Sequence, residues 1–136
     1  MYSTIDLHIQ LIGENKIICT DEEYGIGIYA GDSRLNKDLA ILGEGSLTIE
    51  FPNKGGEAAG ISAANLTIES DSTVTASAKN ASAIECLGTL EANKGAAISA
   101  KSDNNDADIF CSGAVINYGA EINAEIDAIG GVNNRD

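Results

Sequence analysis

The chain has no tryptophan, one proline and one histidine among its 136 residues, and only 4 % of them are aromatic. Its core must therefore be narrow and aliphatic. His8 is the single imidazole, and Arg34 and Arg135 are the only guanidinium groups. That leaves little material for general-base, histidine-metal or anion-gripping chemistry. Positive charge is equally scarce: eight Lys plus Arg against 21 Asp plus Glu give a net charge of −13. Nucleic acid and anionic membrane surfaces would be repelled, which leaves cations, cationic surfaces and metal-bridged acidic polymers as partners. Three cysteines, an odd number, imply no disulfide framework. No apolar run approaches the roughly 18–20 residues of a membrane span. Residues 3–12, STIDLHIQLI, alternate polar and apolar from the outset and read as folded strand rather than export signal.

What is abundant is isoleucine (18) and alanine (19), arranged in repeats. A short segment recurs as GIGIYA (25–30), AAGISA (58–63), ASAIEC (81–86), DADIFC (106–111) and a worn copy, DAIGG (127–131). Its central isoleucines are Ile28, Ile61, Ile84, Ile109 and Ile129, and the residue two further on is always small: Ala30, Ala63, Cys86, Cys111 and Gly131. Before each copy lies a strand, a tight polar turn and a second strand, as in NLTIESDSTVTASA (65–78). Leu66, Ile68, Val74 and Ala76 alternate there with Thr67, Glu69, Thr75 and Ser77, the period of a half-buried strand. Glycine, Ser, Thr, Asn and β-branched residues run throughout, and no window sustains a helical period. No single unit can bury its inner face, but stacked units can. The sequence thus predicts one all-β domain over 1–136. It is a right-handed parallel β-helix of about five coils of three short strands (5–30, 38–63, 65–87, 88–112, 113–131), a rod about 24 Å long at the usual strand spacing. An antiparallel sandwich is the rival arrangement.

The motifs at 6–17 (D-L-x-I-x-L-x-G-E-N-x-I), 25–28, 39–49, 59–63 and 66–68 resemble those of the β-helical carbohydrate-binding-domain proteins of Firmicutes. The resemblance spans residues 5–131 and implies a pectate-lyase-like fold. It also implies a cell-surface or extracellular location, calcium and a polysaccharide ligand, acidic polymers included. The chain departs from that family in its shortness and in carrying no export signal.

Four features are candidate sites. Glu14, Glu44 and Asp71 are expected to stack in successive turns, where Ca²⁺ would relieve their repulsion; three solvated carboxylates are the plainer reading. The loop 102–108, with Asp103, Asp106, Asp108 and the amides Asn104 and Asn105, suits a hard cation but is not an EF-hand. As a polar connection it needs no ligand. Cys86 and Cys111 stack at a core position and read as two small apolar residues, within disulfide reach in their α-carbons. On the third face, Gly27, Tyr29, Gly60, Ser62, Ala83, Glu85, Asp108, Phe110, Ala128 and Gly130 are expected to point outward. There Tyr29 and Phe110, with Asn105 nearby, could stack and bind sugar; two scattered surface rings are also ordinary.

No phosphate loop, zinc spacing or nucleophile elbow occurs. A lyase would need a basic residue beside an acidic cluster, whereas Arg135 falls in the terminal tail and Lys79, Lys94 and Lys101 stand singly in solvent. The function expected is a non-enzymatic, adhesin-like polysaccharide-binding module, calcium-dependent through the acidic residues named. The alternative is a structural or self-assembling solenoid spacer, because neither terminus carries a capping helix and the ends invite end-to-end association or belong to a longer solenoid.

Overall fold

The computed structural model describes residues 1–20, 24–30, 37–52, 56–103 and 106–135. Sixteen short strands and no helix make up these residues. Each coil places one strand in each of three sheets. The first coil comprises β1 (Leu7–Gln10), β2 (Glu14–Ile18) and β3 (Tyr24–Tyr29), and the second β4 (Leu39–Leu42), β5 (Ser46–Glu50) and β6 (Glu57–Ala63). The third comprises β7 (Leu66–Ile68), β8 (Thr73–Ala78) and β9 (Ile84–Cys86), and the fourth β10 (Leu90–Ala92), β11 (Ala97–Ser102) and β12 (Ile109–Cys111). The fifth comprises β13 (Val115–Asn117), β14 (Glu121–Asn123) and β15 (Ile126–Ala128), and β16 (Val132–Asn134) begins a further turn. The first sheet runs β1-β4-β7-β10-β13-β16, the second β2-β5-β8-β11-β14 and the third β3-β6-β9-β12-β15. Each neighbouring pair within the sheets is parallel, the arrangement of a parallel β-helix. The sandwich alternative is thereby removed.

The side-chain period of two puts alternate residues on the axis. Leu7, Leu39, Leu66, Leu90, Val115 and Val132 form one inward column. Ile28, Ile61, Ile84, Ile109 and Ile126 form another. Every member of the second column except Ile126 has no solvent exposure. Burying one such side chain contributes about 1.5–3 kcal/mol. Polar ladders brace the corners. The Asp38 N–H donates to Asp6 Oδ1 at 3.0 Å, Asn65 Nδ2 donates to Asp38 Oδ1 at 2.9 Å, and the Thr89 N–H donates to Asn65 Oδ1 at 2.9 Å. At the next corner Asn93 Nδ2 donates to Glu69 Oε2 at 2.9 Å.

One expectation needs correction, and both ends of the chain pair further than the sequence showed. The fifth copy of the short segment is centred on Ile126, which pairs with Ile109, while Ile129 is 74 % exposed. The connection from β14 to β15 is only two residues long, so the strand arrives three residues sooner than spacing in the earlier coils suggests. The tail is not loose, because β16 pairs residue for residue with β13. The first residues also do more than their number suggests. Tyr2 forms a parallel bridge with Tyr29, the Ser3 N–H donates to the Tyr29 carbonyl and the Tyr29 N–H to that of Met1. Residues 1–3 thus cover the outer edge of β3.

The outward alternation of the third sheet also fails at one column. Gly27, Gly60, Ala83 and Asp108 are buried. A Cβ on Gly27 would lie 2.5 Å from Ile49 Cγ2 and 2.7 Å from the Gly60 carbonyl oxygen. The corner between the second and third sheets tucks these residues inward, where only small ones fit. Asp108 is the exception, and its carboxylate is fully employed there.

Candidate functional site

The outward column of the third sheet reads Tyr29, Ser62, Glu85, Phe110, Asp127. The fifth outward residue is thus Asp127, three positions before the Gly130 expected from sequence, and Ala128 pairs with Cys111 in the inward column. At the distal end of this column an open groove of about 460 Å³ lies between the sheet and the connections that enter it. Four carboxylates line it: Glu57 from the start of β6, Glu85 from β9, Asp106 from the β11–β12 connection and Asp127 from β15. Phe110, half-buried in mid-strand, contributes the one aromatic ring, and no Lys or Arg is among the lining residues described. Asn80 and Ser82 complete the polar wall.

That wall is held by backbone bonds. Ala58 and Lys79 exchange two N–H···O bonds of 2.9 and 2.8 Å across an antiparallel bridge. Asn80, at φ 53°, donates its side-chain amide to the Gly56 carbonyl at 2.9 Å and its N–H to Asp103 Oδ1 at 3.0 Å. Ser102 Oγ donates to the Ala81 carbonyl at 2.7 Å. Lys79 Nζ, expected in solvent, is instead buried and has no hydrogen-bond partner.

Asp108 closes the same region. Its Oδ1 accepts the Ser102 N–H at 2.7 Å and its Oδ2 the Glu125 N–H at 2.9 Å, tying the fourth coil to the fifth. Burial opposes its ionisation, but those two N–H donors and the nearby Lys101 outweigh it and hold the carboxyl below its ordinary value.

The residues expected to hold calcium are distributed rather than gathered. Glu14 lies in β2 opposite Ser46, so it is displaced along the chain from the turn that carries Glu44. Asp71 sits at φ 67°, and its Oδ1 lies 2.7 Å from where a Cβ on Gly95 of the next coil would be. Asp tolerates this left-handed position, which accounts for an acidic residue in the turn without a ligand. In the 102–108 connection both Asp108 oxygens are committed to N–H donors, Asp103 braces Asn80, Asp106 faces the groove, and Asn105 lies outside the described residues. Among the described residues no group of three or more His, Cys, Asp or Glu side chains could hold a metal ion. The described donors are spread along the coils rather than gathered at one point, and the loop amides Asn104 and Asn105 lie outside the described residues.

Of the sugar-binding residues expected, Tyr29 and Phe110 do share one column, three strand steps or roughly 14 Å apart. Phe110 lies in the groove. Tyr29 lies beyond it and stacks on Tyr2, with ring centroids 5.3 Å apart and planes within 6°. Asp106 and Glu85 each stand out in the sequence, but not with Glu57 and Asp127, because the four come from separate segments that only the register of the coils brings together. No family model, curated protein or solved structure matches the chain.

Proposed function

We propose that the protein is a non-catalytic glycan-binding module of a cell-surface protein, with its ligand lying along the outer face of the third sheet. The observation that carries this reading is Phe110 set among Glu57, Glu85, Asp106 and Asp127 in an open groove on a rigid sheet. An aromatic ring offers a flat apolar surface to a sugar face, and carboxylates accept hydrogen bonds from sugar hydroxyls. The acidic lining from Glu57, Glu85 and Asp127 favours a neutral or amino-sugar chain over an acidic one. The Tyr2–Tyr29 pair extends the aromatic surface along the same face. Contact of this kind needs no bridging calcium, so binding should persist in EDTA.

A panel of neutral, amino and acidic polysaccharides tested by affinity electrophoresis, followed by calorimetry, decides the matter. Saturable binding that weakens about tenfold or more in Phe110→Ala is the expected result. Binding unchanged in that variant would sink the assignment of the groove. A second reading is favoured by a separate observation. Among the described residues, the large apolar side chains left exposed all lie in the first coil or its approach (Met1, Tyr2, Ile5, Ile12, Ile18, Ile26) or near the last strands (Ile129, Val132), with the exception of Leu87. Absence of any glycan binding, together with mass that grows with concentration, would make the protein a self-assembling solenoid spacer.

A further inference from the structure

Beneath the groove, one residue inward of Phe110, the inner column of the third sheet changes from Ala63 to Cys86 and Cys111 and back to Ala128. The two cysteines are direct register partners on adjacent parallel strands. Both have no solvent exposure and both are free thiols. Their α-carbons stand one strand spacing apart, roughly 4.8 Å, inside the range a disulfide spans. Their side chains point the same way, so the two thiols lie side by side on adjacent strands. The neighbouring thiol and burial together push the Cys86 thiol up. Whichever sulfur reacts first, the other already sits beside it. A buried pair serving only as small apolar filler could have been alanine, as it is at the neighbouring positions of the column.

The geometry points to Cys86 and Cys111 as an oxidative modification site, a thiol pair that a peroxide converts to a disulfide clamping the third coil to the fourth. With Cys111 reacting first, its thiolate attacks one peroxide oxygen. An S–O bond forms, the O–O bond breaks, and the departing hydroxide takes the proton that Cys111 released. Cys86 then attacks the Cys111 sulfur. The S–S bond forms, the S–O bond breaks, and the second hydroxide leaves with the Cys86 proton as water. Two thiols lose two electrons and one hydrogen peroxide becomes two waters. Full coverage of both sulfurs means that local opening of the coil sets the rate. The product closes a loop from residue 86 to residue 111 and fixes the separation of Glu85 and Phe110 directly outside it.

The test uses the full chain carrying Cys19→Ser, so that only this pair can react. After treatment with hydrogen peroxide, thiols are counted in denaturant, and intact mass is compared before and after reductant. The expected result is loss of both titratable thiols, a reductant-reversible mass difference of two hydrogens, and a melting temperature raised by roughly 5–10 °C. Introducing Cys111→Ser as well should remove all three. Persistence of two thiols, oxygen adducts on them, or a disulfide that links two chains would each overturn the proposal.

Discussion

The third coil and the fifth are built on the same plan and differ in what lies beyond them. In the third, β7 and β9 each bury both inward residues completely, with other coils on either side. In the fifth, β14 and β15 keep the same parallel pairing, yet Ile122 and Ile126 are only half-buried. The composition responds. The inward column that reads Ile9, Ile41, Ile68 and Ala92 continues as Asn117 and Asn134. Asn117 turns its amide on its own turn, with Oδ1 accepting the Ala120 N–H at 2.7 Å and the Gly119 N–H at 3.1 Å. Stability in such a solenoid comes from neighbours, and toward this end of the stack apolar packing gives way to self-satisfied polar groups.

The sharpest way to break this comparison is a matched pair of truncations. Ile84→Ala should cost about 2–5 kcal/mol in denaturant unfolding, because the cavity opens in a fully packed column. Ile126→Ala, in the same column, should cost less than half as much. Equal losses would mean that the fifth coil is as tightly held as the third.

A smaller effect is expected at Asp108, the brace between the fourth and fifth coils. Its folded pKa is depressed, so its contribution is present above the ordinary carboxylate value and disappears as the pH falls through the folded value. Wild-type stability should therefore decline below about pH 4. Asp108→Asn should flatten that part of the profile and lower stability at neutral pH by about 1–3 kcal/mol, since an amide nitrogen faces one of two N–H donors. A variant with the wild-type acid profile would remove Asp108 from this role.

The smallest effect belongs to the surface pair of the first two coils. Lys16 Nζ lies 3.2 Å from Glu50 Oε2, with both side chains about half exposed. Lys16→Ala should change stability by no more than about 0.5 kcal/mol, and less in high salt.

The coil plan was legible because alternation and the polar turns recur in residue after residue, from Leu66 to Val115. It became illegible where the spacing changed. Both Ile126 and Ile129 could have centred the fifth copy, and only the two-residue turn before β15 decides for Ile126. Alternation also assumes a straight strand, so Gly27, Gly60, Ala83 and Asp108 were assigned to the wrong side of a corner that bends inward. The groove was hardest of all. Glu57, Glu85, Asp106 and Asp127 are 28, 21 and 21 residues apart, a spacing with no local motif, and a register error in the last coil hides their approach. Phe110 and Tyr29 could be anticipated because aromatic rings are rare in this chain and both fall at outward positions of the short repeat.

The hydrogen bonds between coils run nearly along the rod, and this fixes how the molecule bears tension. A pull applied at its two ends loads the ladders strand by strand, as in a zipper, rather than across a whole sheet at once. The coils at the two ends, where strands pair on one side only, would peel first. Each further yield would release one repeat, for example the 24 residues from Leu66 to Leu90, or roughly 80 Å of slack chain. As part of a tether, the protein would lengthen in steps and keep its remaining coils intact.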